Sequence, residues 1–510
     1  MSGKKRTSSP SREAGSVAKS NAAPAKIDRV QPTSEEGMGE FEDVYEDDFE
    51  NEEEEGVVVD AAEEDAEIAL DEDTPMDEEE RPPSPVPFLP TGVLQEGEVL
   101  EPDLSTYPLL HEFKPTWPSL SFDFLRDHDG EQRRGYPVSC TLVSGTQAQD
   151  KTANELTVMR WEGLGKTDKG DLDSDEESDD DDIEDDPVLT FKTIPHQGCI
   201  NRIRARPVSS SYAQGPPLPP LPYHVATFSE TGKVHIFDVA PQLDALLRPA
   251  VASAPLQKTP VHTIAAHGRA EGYALDWDNP IGETPSSRLL SGDVHAKIYM
   301  TTINQASFTT APRPFLSHTD SVEDLQWSPS ESTVFASCSA DKSIRIWDIR
   351  TKDKKSVIGL SGAHEGDVNV ISWNKLTNYL LASGGDEGGI KVWDLRNFKG
   401  VKSPKPTPVA YFDWHTAPIT SIEWHPTDES SFAASGADNQ ITLWDLSVEQ
   451  DDEDRNDKND IMKDVPPQLL FVHQGQKDIK ELHWNAQVPG VVVSTAYDGF
   501  NIFKTLPFSS

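Results

Sequence analysis

An all-β chain closed into a seven-bladed β-propeller is what this sequence predicts, on three observations. A strand phrase ending in Trp-Asp recurs at near-constant spacing, a strand ending in Trp precedes each copy, and a small-residue strand lies between them. The phrases "DKSIRIWDIR" (341–350), "GGIKVWDLR" (388–396) and "NQITLWDLS" (439–447) alternate apolar and polar residues, the period of a strand with one buried face. Their upstream partners "VEDLQW", "VNVISW" and "ITSIEW" close at Trp327, Trp373 and Trp424. "FASCSAD", "LASGGDE" and "FAASGAD" supply the strand and turn between. Trp347, Trp393 and Trp444 follow one another at 46 and 51 residues, so each unit reads as a four-stranded blade of WD40 type.

Weaker copies extend the array to seven. One keeps His196 and Phe237-Asp238, and the next keeps His267 and Trp277 without the terminal pair. A downstream copy keeps His473, Trp484 and Asp498 with Phe503 in place of Trp, and upstream strands end at Trp161. The recurring polar residues have a structural reason. A His ahead of the first strand, a small hydroxyl residue, an Asp in the tight turn and the Trp can form a buried hydrogen-bond chain, because an unsatisfied buried polar group costs about 1–3 kcal/mol. His318, Ser337, Asp341 and Trp347 fit it, as do His415, Ser435, Asp438 and Trp444, with His364 and Trp393 between. Such regular recurrence indicates scaffold rather than catalytic or metal-ligating groups; no enzyme, cofactor or metal is expected.

A ring of blades must close or leave raw strand edges. In "TWPSLSFDFL" (116–125), Leu120, Phe122 and Phe124 share one strand face, and this segment is expected to be the outer strand of the last blade, a clasp from the N-terminal side.

Charge divides the chain further. The formal net charge is −44; residues 35–80 hold 25 Asp and Glu without Lys or Arg, and residues 171–186 hold 12, again without either. The first 34 residues carry seven Lys and Arg against Glu13 and Asp28. Polyanionic segments repel phosphate backbones and attract basic proteins, so a basic protein partner is expected and direct nucleic-acid binding is not. The expected domains are a disordered tail 1–90 (basic 1–34, acidic 35–80), a short helix or linker 91–115 packing on the propeller, the propeller 116–507, a disordered acidic insertion 163–187 and an acidic and Pro-Pro insertion 447–466. Cys140, Cys199 and Cys338 are odd in number and widely spaced, which suits a reducing compartment. With no long apolar run or signal-peptide pattern, a soluble intracellular protein is expected.

Smaller signals have two readings each. "GLGKT" (163–167) fails as a phosphate loop, since the required earlier Gly is Arg160. Ser174 and Ser178, each followed by acidic residues, fit acidophilic-kinase sites. Arg202, Arg204 and Arg206 in "INRIRARP" share a strand face, either as salt-bridged strand charges or as a partner-binding patch. Trp414 is either an exposed aromatic anchor on the propeller face or part of its hairpin's packing.

"LLHEFKPTWPSLSFDFL" (109–125) resembles the short N-terminal helix and Trp-Pro-Ser-Leu strand of the histone-binding WD proteins, the retinoblastoma-associated and chromatin-assembly-factor subunit family. "DVPPQLLFVHQGQKDIKELHWN" (464–485) resembles that family's proline-proline loop. With the acidic runs and "GCINRIRARP", the chain is most similar to the glutamate-rich WD-repeat proteins, known in fungi as a regulator of ribosome biosynthesis. The resemblance implies a chaperone of ribosomal protein L3 in large-subunit assembly, nuclear and nucleolar with a cytoplasmic pool, a monomer in a 1:1 complex with its client. It also implies histone binding as an alternative. A WD adaptor of a cullin ubiquitin ligase is a further alternative. Carried over residue by residue, it implies a partner-binding side pocket of Leu109, Leu110 and Phe113 on the helix side and Asp464, Pro466, Pro467, Leu469 and Leu470 on the loop side. Pro108 confines that helix to about one turn.

Overall fold

The computed structural model describes residues 100–167, 186–208, 222–250, 252, 254–279, 287–304, 307–398, 406–449 and 465–506. Twenty-eight strands form seven antiparallel four-stranded sheets, each a meander in sequence order except the last. We letter the strands of each blade a to d in order across its sheet. Blade 4 is typical: Val322–Trp327, Val334–Ser339, Ser343–Asp348 and Ile358–Ser361. Neighbouring a strands pack against one another around the whole circle, which places them at the axis and the d strands at the rim.

The Trp-Asp signature has a local cause. The Trp is core: Trp347, Trp393 and Trp444 are at most 1% exposed, and the Trp347 ring stacks on Phe335 at 5.7 Å. The Asp ends the strand, because its carboxylate accepts the backbone N–H two residues on and starts a turn: Asp348 from Arg350, Asp394 from Arg396, Asp445 from Ser447. At the other end of the blade, the left-handed turn position is filled by Gly388 in blade 5 (φ +84°), where a Cβ would lie 2.3 Å from the His415 carbonyl oxygen.

Ring closure differs from the expectation. The outer strand of blade 7 is Leu109–Phe113, paired antiparallel with Gly499–Lys504 from Leu109↔Lys504 to Phe113↔Phe500. Ser119–Phe124 is instead the innermost strand of blade 1. Its polar positions, which give it a one-sided look, are engaged: Ser121 is fully buried and its Oγ accepts the N–H of Ile203, while Asp123 accepts that of Ala205. The helix expected over Leu109–Phe113 is likewise a strand. The helical turn preceding it is three residues, Leu104–Thr106, capped by Asp103. One α-helix that the periodicity does not show, Ala240–Leu247, sits between strands c and d of blade 2. It buries Ala240 and Leu243 in one cluster with Val158 and Ile194 of blade 1.

Within the propeller, every segment outside the described residues falls in an a–b or c–d connection: 168–185, 209–221, 251, 253, 280–286, 305–306, 399–405 and 450–464. In an antiparallel meander these connections share one end of the blade. The b–c turns and d–a links, all described, form the other face. Both acidic insertions therefore leave from the same face. The strand before the first one runs to Leu164, so that connection starts later than the expected 163.

Candidate functional site

The four-residue chain inferred from the repeats exists in blade 4. Trp347 Nε1 donates to Ser337 Oγ at 2.7 Å, His318 Nε2 lies 2.6 Å from the same oxygen, and His318 Nδ1 lies 2.9 Å from Asp341. Burial pushes the Asp341 carboxyl up, but His318, Ser343 and the Thr319 N–H outweigh it and hold it well below the usual range. Burial lowers His318, so a neutral ring donates from Nδ1 to a carboxylate. Blade 5 repeats this with His364, Ser383, Trp393 and Glu387 in place of Asp. Blade 6 corrects the expectation for Ser435. Thr442 Oγ1 receives Trp444 Nε1 and lies 2.9 Å from His415 Nε2, whereas Ser435 Oγ bonds Thr420; Asp438 holds His415 as expected.

The axis carries a second polar system. Side chains of one a strand accept backbone N–H groups of the next: Asp276 from Trp327, Asp324 from Ile371, Gln326 from Trp373, Ser372 from Trp424, Glu423 from Trp484, and Glu481 from Phe122. These cross-blade bonds satisfy a-strand amides that no fourth neighbour could reach. Arg202 and Arg204 belong to this system. Their Nη1 atoms lie 2.6 and 2.9 Å from Glu481 Oε1, and their side chains are 13% and 17% exposed. Burial pushes Glu481 up, yet the two guanidiniums hold it well below the usual range. Burial lowers His483, but Glu423 and Glu481 outweigh it and raise it to about 10, so it is an imidazolium. Asp276 has less compensation, and burial raises it to about 7. A cavity of about 450 Å³ opens here, with Asp123, Asp276, Arg204, Lys375 and His483 among its lining. The signal for this network was in the sequence, as charged or amide residues just before the a-strand Trp at Asp276, Gln326, Glu423 and His483.

The expected side-pocket residues lie on two adjoining rim strands, and their side chains divide among three clusters. Leu109 and Phe113 face blade 1, where the Phe113 ring stacks on Trp161 at 4.2 Å. Leu110 and Leu470 pack on a cluster between blades 6 and 7, and Leu469 on one between blades 5 and 6. Pro466 is half-buried, and its carbonyl accepts the Leu469 N–H; Pro467 is exposed. Asp464, Ser174 and Ser178 lie outside the described residues. Trp414 is half-buried on the blade 5–6 cluster, with Nε1 donating to Gln440, so at least part of its ring is packing.

Residues that the sequence did not flag hold this rim together. Tyr107 inserts its ring against Phe471, His473 and Phe503 and places its hydroxyl 2.9 Å from His473 Nδ1. Thr167, the last described residue before the first acidic insertion, donates its N–H to Pro108 and accepts the Leu110 N–H. On the turn face, Trp117, Tyr497 and two prolines line a cleft of about 510 Å³ between blades 7 and 1; Tyr497 is 68% exposed. Among the described residues, no group of three His, Cys, Asp or Glu side chains is placed to hold a metal ion. The arrangement offers shaped and charged surfaces to a polypeptide.

The fold and its hydrogen-bond chains define a WD-repeat propeller, and the WD domain, G-beta repeat model matches residues 311–348, 355–394 and 406–445. A second model, described as the histone-binding protein RBBP4 or its counterpart in the CAF1 complex, matches residues 97–164, the closing strand and much of blade 1. Ribosome assembly protein rrb1 of Schizosaccharomyces pombe is 48% identical over 96% of this chain and 97% of its own. Glutamate-rich WD repeat-containing protein 1 of Dictyostelium discoideum is 43% identical over 84% and 86%. Histone acetyltransferase type B subunit 2 of Candida glabrata is 24% identical over 77% and 84%. Among solved structures, the WD40 propeller domain of Doa1 aligns over 78% of this chain and 96% of its own, at 14% identity and a TM-score of 0.47. The chain belongs to the family of ribosome assembly protein rrb1 and the glutamate-rich WD-repeat proteins.

Proposed function

We propose that the protein is a ribosome-assembly factor that acts without catalysis, as a chaperone for newly made ribosomal protein L3 on its way to the large subunit. The observation that carries this reading is the similarity along nearly the whole chain to a protein named for ribosome assembly. Physical chemistry supports a basic client: two runs of 25 and 12 carboxylates contain no cation to neutralise them. Ribosomal proteins carry dense Lys and Arg meant for RNA, and acidic segments would screen those cations while the rigid propeller supplies shape. The client is captured in the cytoplasm and released in the nucleus or nucleolus. The side-pocket residues Leu110, Pro467 and Leu470 are candidates for its contacts, as is the half-buried Trp414. Arg202 and Arg204 are occupied by Glu481 and act from within the axis.

A histone chaperone is the second reading, favoured by the match to the RBBP4 description over residues 97–164. Purification of the tagged protein after nuclease treatment separates the two. L3 at stoichiometric yield supports the first, core histones the second, and a cullin scaffold would point to a ubiquitin-ligase adaptor. Recovery of no basic protein at low salt contradicts both chaperone readings.

A further inference from the structure

The outer edge of blade 1 differs from the other six. Its strand Val188–Pro195 is eight residues long, whereas the other outer strands run from three to five. At ~3.3 Å per residue it offers about 26 Å of edge. Its ladder to Glu155–Leu164 runs through eight successive pairs, Glu162↔Val188 to Glu155↔Pro195, without a bulge. The N–H of His196 donates to the Asn154 carbonyl. Alternation along an antiparallel ladder then turns the backbone groups of Val188, Thr190, Lys192 and Ile194 inward and leaves those of Leu189, Phe191 and Thr193 pointing away from the sheet. Among the described residues, no hydrogen bond reaches these three outward positions.

Edges of this length are ordinarily blunted by charge, proline, a bulge or a covering segment. Lys192 and the terminal Pro195 are the blunting residues in this strand. Phe191 is 55% exposed and shares a face with Leu189, while Val188 is 50% exposed on the other. The rim strand of blade 7 contrasts with it, since Thr167 bonds across Pro108 and Leu110.

We propose that this edge takes a fifth strand from an extended, Lys- or Arg-bearing segment of a basic polypeptide, paired to the backbone of Leu189, Phe191 and Thr193 and packing an apolar side chain on Phe191. The inference rests on the basic-client reading above and adds where such a client pairs. Charge selects the occupant. The run of 12 carboxylates in residues 171–186 leads directly into this strand, and Asp186 at its end is exposed. Backbone pairing supplies affinity that tolerates many sequences, and the carboxylates supply the preference for cations.

Hydrogen exchange on the full chain tests this, with an alternating Lys–Val peptide of about eight residues, the length of the edge. Saturating peptide slows exchange of the Leu189, Phe191 and Thr193 amides by about tenfold or more. Phe191→Pro, tolerated at an edge where the N–H faces solvent, weakens peptide binding about tenfold; Phe191→Thr, which keeps that N–H, weakens it by less than about threefold. If Phe191→Pro does not fold, a peptide N-methylated at alternate residues carries the same test from the ligand side and is expected not to bind. Peptide bound with these three amides exchanging as before, or bound equally well when N-methylated, overturns the inference. So does protection that rises with protein concentration alone, which assigns the edge to a second copy. A chain that binds neither the peptide nor any basic protein overturns the client reading itself.

Discussion

The hydroxyl of Tyr107 lies 2.9 Å from Nδ1 of His473, so the segment leading into the closing strand is bonded to the His of the seventh repeat in the place where other blades use an acidic residue of the b–c turn. Asn501 approaches the other ring nitrogen at 3.2 Å, and the ring stacks on Phe503. Tyr107→Phe removes the hydroxyl and leaves a buried ring nitrogen unpaired. Urea denaturation is expected to show a loss of about 1–3 kcal/mol.

The same ring gives a pH signature. Burial lowers His473 to about 3 and His196 to about 4, so between those values and about 6.5 the unfolded chain binds protons that the folded chain does not. Their contribution is fully present above about pH 6.5 and is lost progressively as pH falls towards 3. Thermal melts from pH 7 to 4 should show falling stability. His473→Gln starts lower and should lose less over that interval.

Glu481 joins three blades, accepting the Phe122 N–H of blade 1 while neutralising Arg202 and Arg204 of blade 2 from blade 7. Glu481→Gln strands two buried guanidiniums beside His483. Chemical denaturation should show a loss of about 3–5 kcal/mol, the cost of breaking a buried charge pair. A loss under about 1 kcal/mol would mean that the ion cluster contributes little to closure.

Thr442, not Ser435, carries the hydrogen-bond chain of blade 6. Thr442→Val unpairs Trp444 Nε1 and His415 Nε2 together and is expected to cost about 1–3 kcal/mol. Ser435→Ala should cost less, since its hydroxyl bonds Thr420 alone among the described residues. Thermal melts of the two variants rank them directly.

Asp276 behaves oppositely to the histidines. With its carboxyl raised to about 7, the folded chain retains a proton that the unfolded chain releases near pH 4. Its contribution is fully present below about pH 4 and is lost as pH rises to 7. Asp276→Asn keeps an oxygen for the Trp327 N–H and removes this dependence, so the variant should melt higher than the parent at pH 8 and lose that advantage at pH 4.

Repetition determines what can be read in advance. Blades 4 to 6 are legible down to His318, Ser337, Asp341 and Trp347, because the same four environments recur and each has one chemistry that satisfies it. Closure occurs once in the ring. With no second copy for comparison, the alternation in "SLSFDF" points to the rim, whereas Ser121 and Asp123 face blade 2 and Leu109–Phe113 takes the rim position. The Arg202–Arg204–Glu481 cluster is half legible: the arginines read as salt-bridged strand charges or a partner patch, but their partner lies 277 residues beyond Arg204 and meets them through the ring. Leu109, Leu110 and Phe113 stand out in the sequence as apolar, and a single strand sends them to opposite faces.

The central claim is that this propeller binds a basic ribosomal protein, and direct titration with L3 tests it most closely. Purified full chain and L3, mixed without RNA and followed by light scattering across a salt series, should form a 1:1 complex that keeps L3 soluble. Deleting residues 35–80 should slow association and flatten its salt dependence more than it abolishes binding. L3 that precipitates equally with and without the protein at low salt, while core histones are held in solution, would contradict the account.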